Sequence, residues 1–297
     1  MSDQTLPATI AGDRIAPEKW LVLGAVCLAA IMMPLSFVGP SVALPAIGRE
    51  FGGSAAALNW VLNAFILTGY DLRRGHLGEV TRTAFDNAWA LQTKDGPDAG
   101  AWVWQNFGLA PWESKESQYH WAALMAVTVA KAPDHYRDDP KIAANLAALT
   151  GYLRGHYETQ PVLNKVVALW ASAYYPDVLS GDERAALIAT LSRLQHPDGG
   201  WSLTDLGPWT RVDKSPAPTG SDGYGTAVTV LVLEEIGLRG DPRVARGLAW
   251  LEANQDRSTG AWTSLSVNKA RDPTSPPGPF MTDAATSFAV LALEDRR

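Results

Sequence analysis

Beyond residue 70, apolar positions follow two alternating rhythms. From Asp182 to Leu194 a single stripe of Leu187, Ile188, Leu191 and Leu194 recurs at helical spacing, which predicts a helix with one buried face and one wet face. By contrast, TAVTVLVLEEIG from Thr226, TSFAVLALED from Thr286 and HWAALMAVTVAKA from His120 are apolar almost all round, as a fully buried helix is. Striped and all-round segments take turns about four times, over roughly 80–131, 139–175, 182–237 and 241–294. Each unit reads as an outer helix followed by an inner one. No such pair can bury its own apolar face, so the repeat implies an all-α solenoid or α/α ring.

The first 70 residues read differently. Trp20 to Ile47 contains no charged residue, longer than the roughly 20 residues that cross a bilayer. A signal peptide is the rival reading, but its apolar region spans only about 7 to 15 residues. After Arg49 and Glu50, Gly52 to Tyr70 is again uncharged and ends at Asp71, Arg73 and Arg74, so a second, shorter span over 54–70 is a candidate. Arg14 and Lys19 before the first span, Arg49 between, and Arg73, Arg74 and Arg82 after the second favour cytoplasmic ends. The repeat domain is then expected in the cytoplasm with two spans and outside it with one, at an inner membrane in either case. VALPAIGREFGGSAAALNWVLNAFILTGY, Val42 to Tyr70, resembles the first outer loop and second helix entry of drug:proton antiporters of the major facilitator superfamily. No further long apolar run follows, and a transporter needs many helices around a central site. The expected organisation is a tail over 1–19, a membrane segment over 20–70 and a repeat domain over 71–297.

Composition narrows the partners. The chain has 297 residues, 46% of them hydrophobic and 19% charged, with a net charge of −6, which leaves no basic field for nucleic acid. Cys27 is the single cysteine, so neither a disulfide framework nor a thiolate zinc cluster is available. The five histidines, His76, His120, His135, His156 and His196, show no metal spacing. No metal or cofactor is expected.

Of twelve tryptophans, ten follow residue 71, and three stand in a repeated frame. FDNAWALQTKDGPDAGAW, IATLSRLQHPDGGW and LAWLEANQDRSTGAW each run from an apolar helix through a Gln and a polar Gly turn to a Trp. The pairs are Gln92 and Trp102, Gln195 and Trp201, and Gln255 and Trp262. A side-chain amide can donate to the orphan carbonyls of a helix end while its flat face takes an indole, so the pair reads as a staple. A fourth copy, DPKIAANLAAL from Asp139, matches DPRVARGLAWL from Asp241 but lacks the Gln and Trp. This frame resembles the QW motif of squalene-hopene and oxidosqualene cyclases, over residues 80–297. The resemblance implies an incomplete, terpenoid cyclase-like α/α toroid of about four helix hairpins, preceded here by one or two transmembrane helices. It also implies a structural role for the six Gln and Trp residues.

Three long loops, VWQNFGLAPW, SLTDLGPW and TSLSVNKARDPTSPPGPF, place Trp112, Trp209 and Phe280 ahead of inner helices. Loops of this length are uncommon unless functional. They are expected to gather at one end of the ring, where the aromatics either wall a cavity mouth or pin the loops.

Class II terpene cyclases protonate an alkene or epoxide with a strong carboxylic acid and hold the cations against aromatic faces. The acid of that family sits in Asp-x-Asp-Asp-Thr-Ala at the start of an inner helix. DGYGTA, Asp222 to Ala227, fits the frame, but Tyr224 and Gly225 replace the donor and its neighbour. TDAATS, Thr282 to Ser287, has Ala284 and Ala285 there. A phenol with pKa near 10 is too weak an acid for this task. Asp222 and Asp283 are weak catalytic candidates that read first as helix caps, as do Asp138 and Asp139. Trp112, Trp209, Tyr224 and Phe280 are substrate-binding candidates.

Two other users of such rings are excluded. A prenyltransferase zinc site needs a Cys that is missing after residue 27, and a complement-type thioester needs a GCGEQ-like run. Two functions stay open. One is a membrane-associated cyclase-like protein binding a polyprenyl or triterpene-like apolar ligand, an isomerase only if its acid comes from elsewhere. The other is a non-catalytic scaffold, or a transporter start joined to a cyclase fragment. Expected partners are the lipid bilayer, that ligand, and a second copy or chain completing the ring.

Overall fold

Local signals fix where the helices begin. Asp222 accepts from the backbone N–H groups of Tyr224 and Gly225, and Asp241, followed by Pro242, accepts from Arg243. Ser180 and Glu183 form a reciprocal capping box, a device worth about 1 kcal/mol per cap. The computed structural model describes residues 54–272, 275 and 278–294, with side chains from 59. Among these are nine α-helices and no β-strand: α1 Ser54–Arg74, α2 Glu79–Ala90, α3 Ser117–Lys131, α4 Ala143–His156, α5 Val162–Ser172, α6 Gly181–Leu194, α7 Gly223–Glu235, α8 Pro242–Ala253 and α9 Phe280–Glu294.

The two rhythms sort α3, α6 and α7 as expected, but α9, expected to be buried all round, buries only Met281, Ala285, Ala289 and Ala292 and exposes Val290 and Leu291. Every residue of α7 from Gly223 to Glu234 is buried, as is most of α3, whereas α6 buries only Leu187 and Leu191. The inner helices α1, α3, α5, α7 and α9 pack side by side in chain order. The hairpins are phased differently from the expectation. Each of α2, α4, α6 and α8 packs on the inner helix before it more than on the one after it. Three of the four outer-to-inner links are long loops, while α4 and α5 are joined by residues 157–161 alone.

The membrane expectation is corrected at α1. This helix covers the candidate second span, yet no described helix is long and apolar enough to cross a membrane. It packs on α2 and α3 and buries Val61, Ala64, Thr68 and Asp71. The Asp71 carboxylate accepts from Gly78 N at 2.7 Å and from the Thr81 hydroxyl at 2.6 Å. Those bonds hold its pKa below the usual value, the Thr81 bond contributing most. A buried carboxylate bonded to the start of the next helix makes α1 the fifth inner helix of the domain. Hydropathy did not separate the two cases because an inner helix and a membrane helix are both apolar all round. The first candidate span, 20–47, lies outside the described residues.

Candidate functional site

The Gln and Trp residues divide the stapling differently from the reading by sequence. The indoles satisfy the helix ends: Trp102 Nε1 donates to Ala88 O at 2.6 Å, Trp201 to Leu191 O at 2.8 Å, and Trp262 to Leu251 O at 2.7 Å. The amides reach forward instead. Gln92 Nε2 donates to Gly100 O and to Asn145 O of α4, both at 2.9 Å, and Gln92 Oε1 accepts from Asn145 Nδ2 at 2.7 Å. Gln195 repeats this on Gly199 O and on Arg243 O of α8, accepting from Arg246. The glycines are required here. With φ of +98° and +95°, Gly100 and Gly199 sit where an added Cβ would meet Ala148 O at 2.1 Å and Arg246 O at 2.9 Å. Judged by these grips, Asn145 stands where Arg243 stands, so the match of Asp139 onto Asp241 is one helical turn out of structural register. Gln255 bonds its own turn at Gly260 O, 2.9 Å, and no grip on a following helix is seen among the described residues.

At the N-terminal ends of α7 and α9, three of the expected aromatics meet. The Trp112 ring lies edge-on to Tyr224 at 5.1 Å and to Phe280 at 5.7 Å, and Phe288 meets Tyr224 at 5.3 Å. The loops are knit together there as expected, with Asn268 Nδ2 donating to Ala110 O and Val212 N donating to Asn268 O. Trp209 stands apart. It is half-buried, donates to Leu203 O at 2.7 Å and lies over Gly207, so it pins its own loop.

Tyr224 is buried, and burial raises its phenol further above its ordinary pKa. The Trp112 indole N–H faces that hydroxyl but falls outside hydrogen-bond geometry. Asp222 takes four donors: Tyr224 N, Gly225 N, Leu203 N at 2.5 Å and Ser264 Oγ at 2.8 Å. Burial pushes its pKa up while those donors pull against it. With every oxygen committed to the cap and two loops, it is a structural group. Asp283 is exposed in the first turn of α9. The counterpart of Asp222 there is Thr282, whose hydroxyl pairs with Ser264 N at 3.3 Å, as Asp222 pairs with Leu203 N.

The cavity lies at the other end. A half-open pocket of about 330 Å³ is lined by Phe65, Ile66, Thr68, Gly69 and Leu72 of α1, Val127, Thr128 and Lys131 of α3, Trp170 of α5, Leu231 and Glu235 of α7, and Leu291 and Glu294 of α9. All five inner helices contribute their C-terminal turns, so they run parallel and direct their negative dipole ends here. Arg73 of α1 and Glu294 of α9 stand 3.8 Å apart at the rim. The walls are mostly apolar, with one charged cluster. Lys131 Nζ bonds Glu235 Oε1 at 2.5 Å and lies 5.5 Å from the Trp170 ring centre, while Tyr174 donates to Glu235 Oε2 at 2.5 Å. Burial alone would raise the Glu235 pKa, but the bonds from Lys131 and Tyr174 outweigh it and lower the pKa.

None of these wall residues was singled out by sequence. A charged residue closing an otherwise apolar inner helix, as Lys131 and Glu235 do, was the available signal. No described group of three His, Cys, Asp or Glu could hold a metal. His120 is buried and neutral, its pKa lowered to about 4 by desolvation, with Nδ1 3.2 Å from Asn164 Oδ1. Asp139 Oδ1 accepts from Lys141 N at 2.9 Å and Asp138 pairs with Arg137, so they are local structural groups. Neither a protein-family model nor a curated protein matches the chain.

Proposed function

We propose that residues 54–294 bind a small apolar molecule in the cavity at the C-terminal ends of the inner helices, on a squalene cyclase-like repeat that does not carry out cyclisation. The observation that carries this reading is the cavity itself. Its 330 Å³ lies at the small end of ligand pockets, about 300 to 1,000 Å³ and mostly apolar. The QW-like staples support the cyclase-like fold, and the committed Asp222 and buried Tyr224 argue against alkene protonation.

Gly69 provides the test. A Cβ built there meets nothing within 4 Å, so Gly69→Leu puts a side chain into the cavity mouth. Loss of a mid-helix Gly also stabilises, by roughly 0.5–1 kcal/mol. Calorimetric titration with geraniol should give saturable binding to the wild type, at least about tenfold weaker in Gly69→Leu, whose melting temperature should not fall. Incubation with squalene should give no cyclised product, and its appearance would overturn the non-catalytic part. The second reading, a scaffold without a ligand, is favoured by the spent Asp222, and an absence of geraniol binding to the wild type would decide for it.

A further inference from the structure

We propose that Lys131 is an attachment site for an apolar aldehyde, which it holds as an imine inside the cavity; this rests on the reading of that cavity as a binding site. Lys131 is the cavity's one lining cation among the described residues. Placing an ammonium in a mostly apolar wall costs desolvation, and a structural ion pair there is often no better than apolar packing. The surroundings stabilise a nitrogen-centred cation. The Glu235 carboxylate is 2.5 Å from Nζ, the Tyr174 hydroxyl anchors the other carboxylate oxygen at 2.5 Å, and the Trp170 face lies 5.5 Å away. Five helix C-termini add negative partial charge around the nitrogen.

A protonated imine fits where the ammonium sits, because it keeps the positive charge and one N–H for Glu235 while its carbon substituent extends into the apolar space. The protons balance within the pair. Lys131 passes a proton to Glu235, and the freed nitrogen lone pair attacks the carbonyl carbon, giving a carbinolamine once the second proton moves from nitrogen to oxygen. Glu235 then protonates the hydroxyl, the C–O bond breaks and water leaves. The products are the iminium and the restored Glu235 carboxylate, with no oxidant or reductant consumed.

The test uses the full chain, trans-cinnamaldehyde and sodium cyanoborohydride, which reduces the imine to a stable secondary amine located by peptide mass spectrometry. Lys131 should be modified at least about tenfold faster than the exposed Lys115, Lys141 and Lys214, the advantage of a held reactant over a diffusing one. Gly69→Leu should remove that excess and leave the surface lysines unchanged. Without reductant, the red-shifted absorption of the protonated imine should be present at neutral pH and lost in Glu235→Gln, a change that a purely structural Glu235 would not produce. Binding of trans-cinnamyl alcohol, followed by the Trp170 indole resonance, runs in parallel. Modification of Lys131 no faster than the surface lysines, with the alcohol bound, overturns the attachment site and leaves the cavity reading intact. If the alcohol does not bind either, the cavity reading fails with it.

Discussion

The two ends of the inner helices hold similar materials to opposite effect. At the N-terminal end Asp222 meets three backbone N–H groups and a serine hydroxyl, and Trp112, Tyr224, Phe280 and Phe288 close on one another. At the C-terminal end Glu235 meets a lysine and a tyrosine beside open space. Their carboxyl groups even shift in opposite directions, Asp222 upward through burial and Glu235 downward because its partners outweigh burial. A polar group saturated by backbone is structure, whereas one saturated by side chains at a cavity wall can exchange partners.

The contrast can be broken by substitution. Asp222→Ala strands four donors at once and should cost about 3–5 kcal/mol in urea denaturation; a cost under about 1 kcal/mol would remove its structural role. Trp112→Ala opens the aromatic cluster and should cost about 3–4 kcal/mol while leaving geraniol affinity unchanged, and a lost affinity would move the site to that end. Glu235→Ala should cost only about 1–2 kcal/mol, since Lys131 and Glu235 side chains are 30% and 11% exposed and water can take the place of the lost partner. If it equals Asp222→Ala, the C-terminal end is as structural as the other.

Acidification gives the smallest effect. Glu235 and Asp241 have folded pKa values below their ordinary 4.5 and 3.8, Asp241 at about 2 through its bonds to Arg243. Lowered folded values mean the stabilisation is complete above the unfolded pKa and is lost as pH falls through the folded one. Asp222, shifted upward, acts in the reverse sense, since its protonation relieves burial as pH falls. Denaturation midpoints should therefore fall between about pH 4.5 and 2, and less steeply in Glu235→Gln over the upper part of that window. Parallel slopes would exclude Glu235 as a contributor.

Much of the fold was legible because it is written locally. The stripe of α6, the apolar run of α7 and the repeated Gln, Gly and Trp each lie within one unit. What was lost lies between units. Gln92 and Gln195 looked like caps of their own helices, but their second partners, Asn145 and Arg243, are about 50 residues away. The α1 segment looked like a membrane span because an uncharged run carries the same signature whether lipid or neighbouring helices cover it. The aromatic loops meet at one end as expected, yet Trp112, Tyr224 and Phe280 contact one another there and do not line the cavity. The cavity was invisible because its wall is assembled from the last turns of helices that end at 74, 131, 172, 235 and 294.

Indole resonances separate the two ends most directly, since Trp170 lines the cavity and Trp112 sits in the aromatic cluster. With ¹⁵N-labelled full-length protein and single Trp→Phe variants for assignment, geraniol should shift Trp170 saturably and leave Trp112 in place. A shift of Trp112 with Trp170 unmoved would contradict the placement of the site.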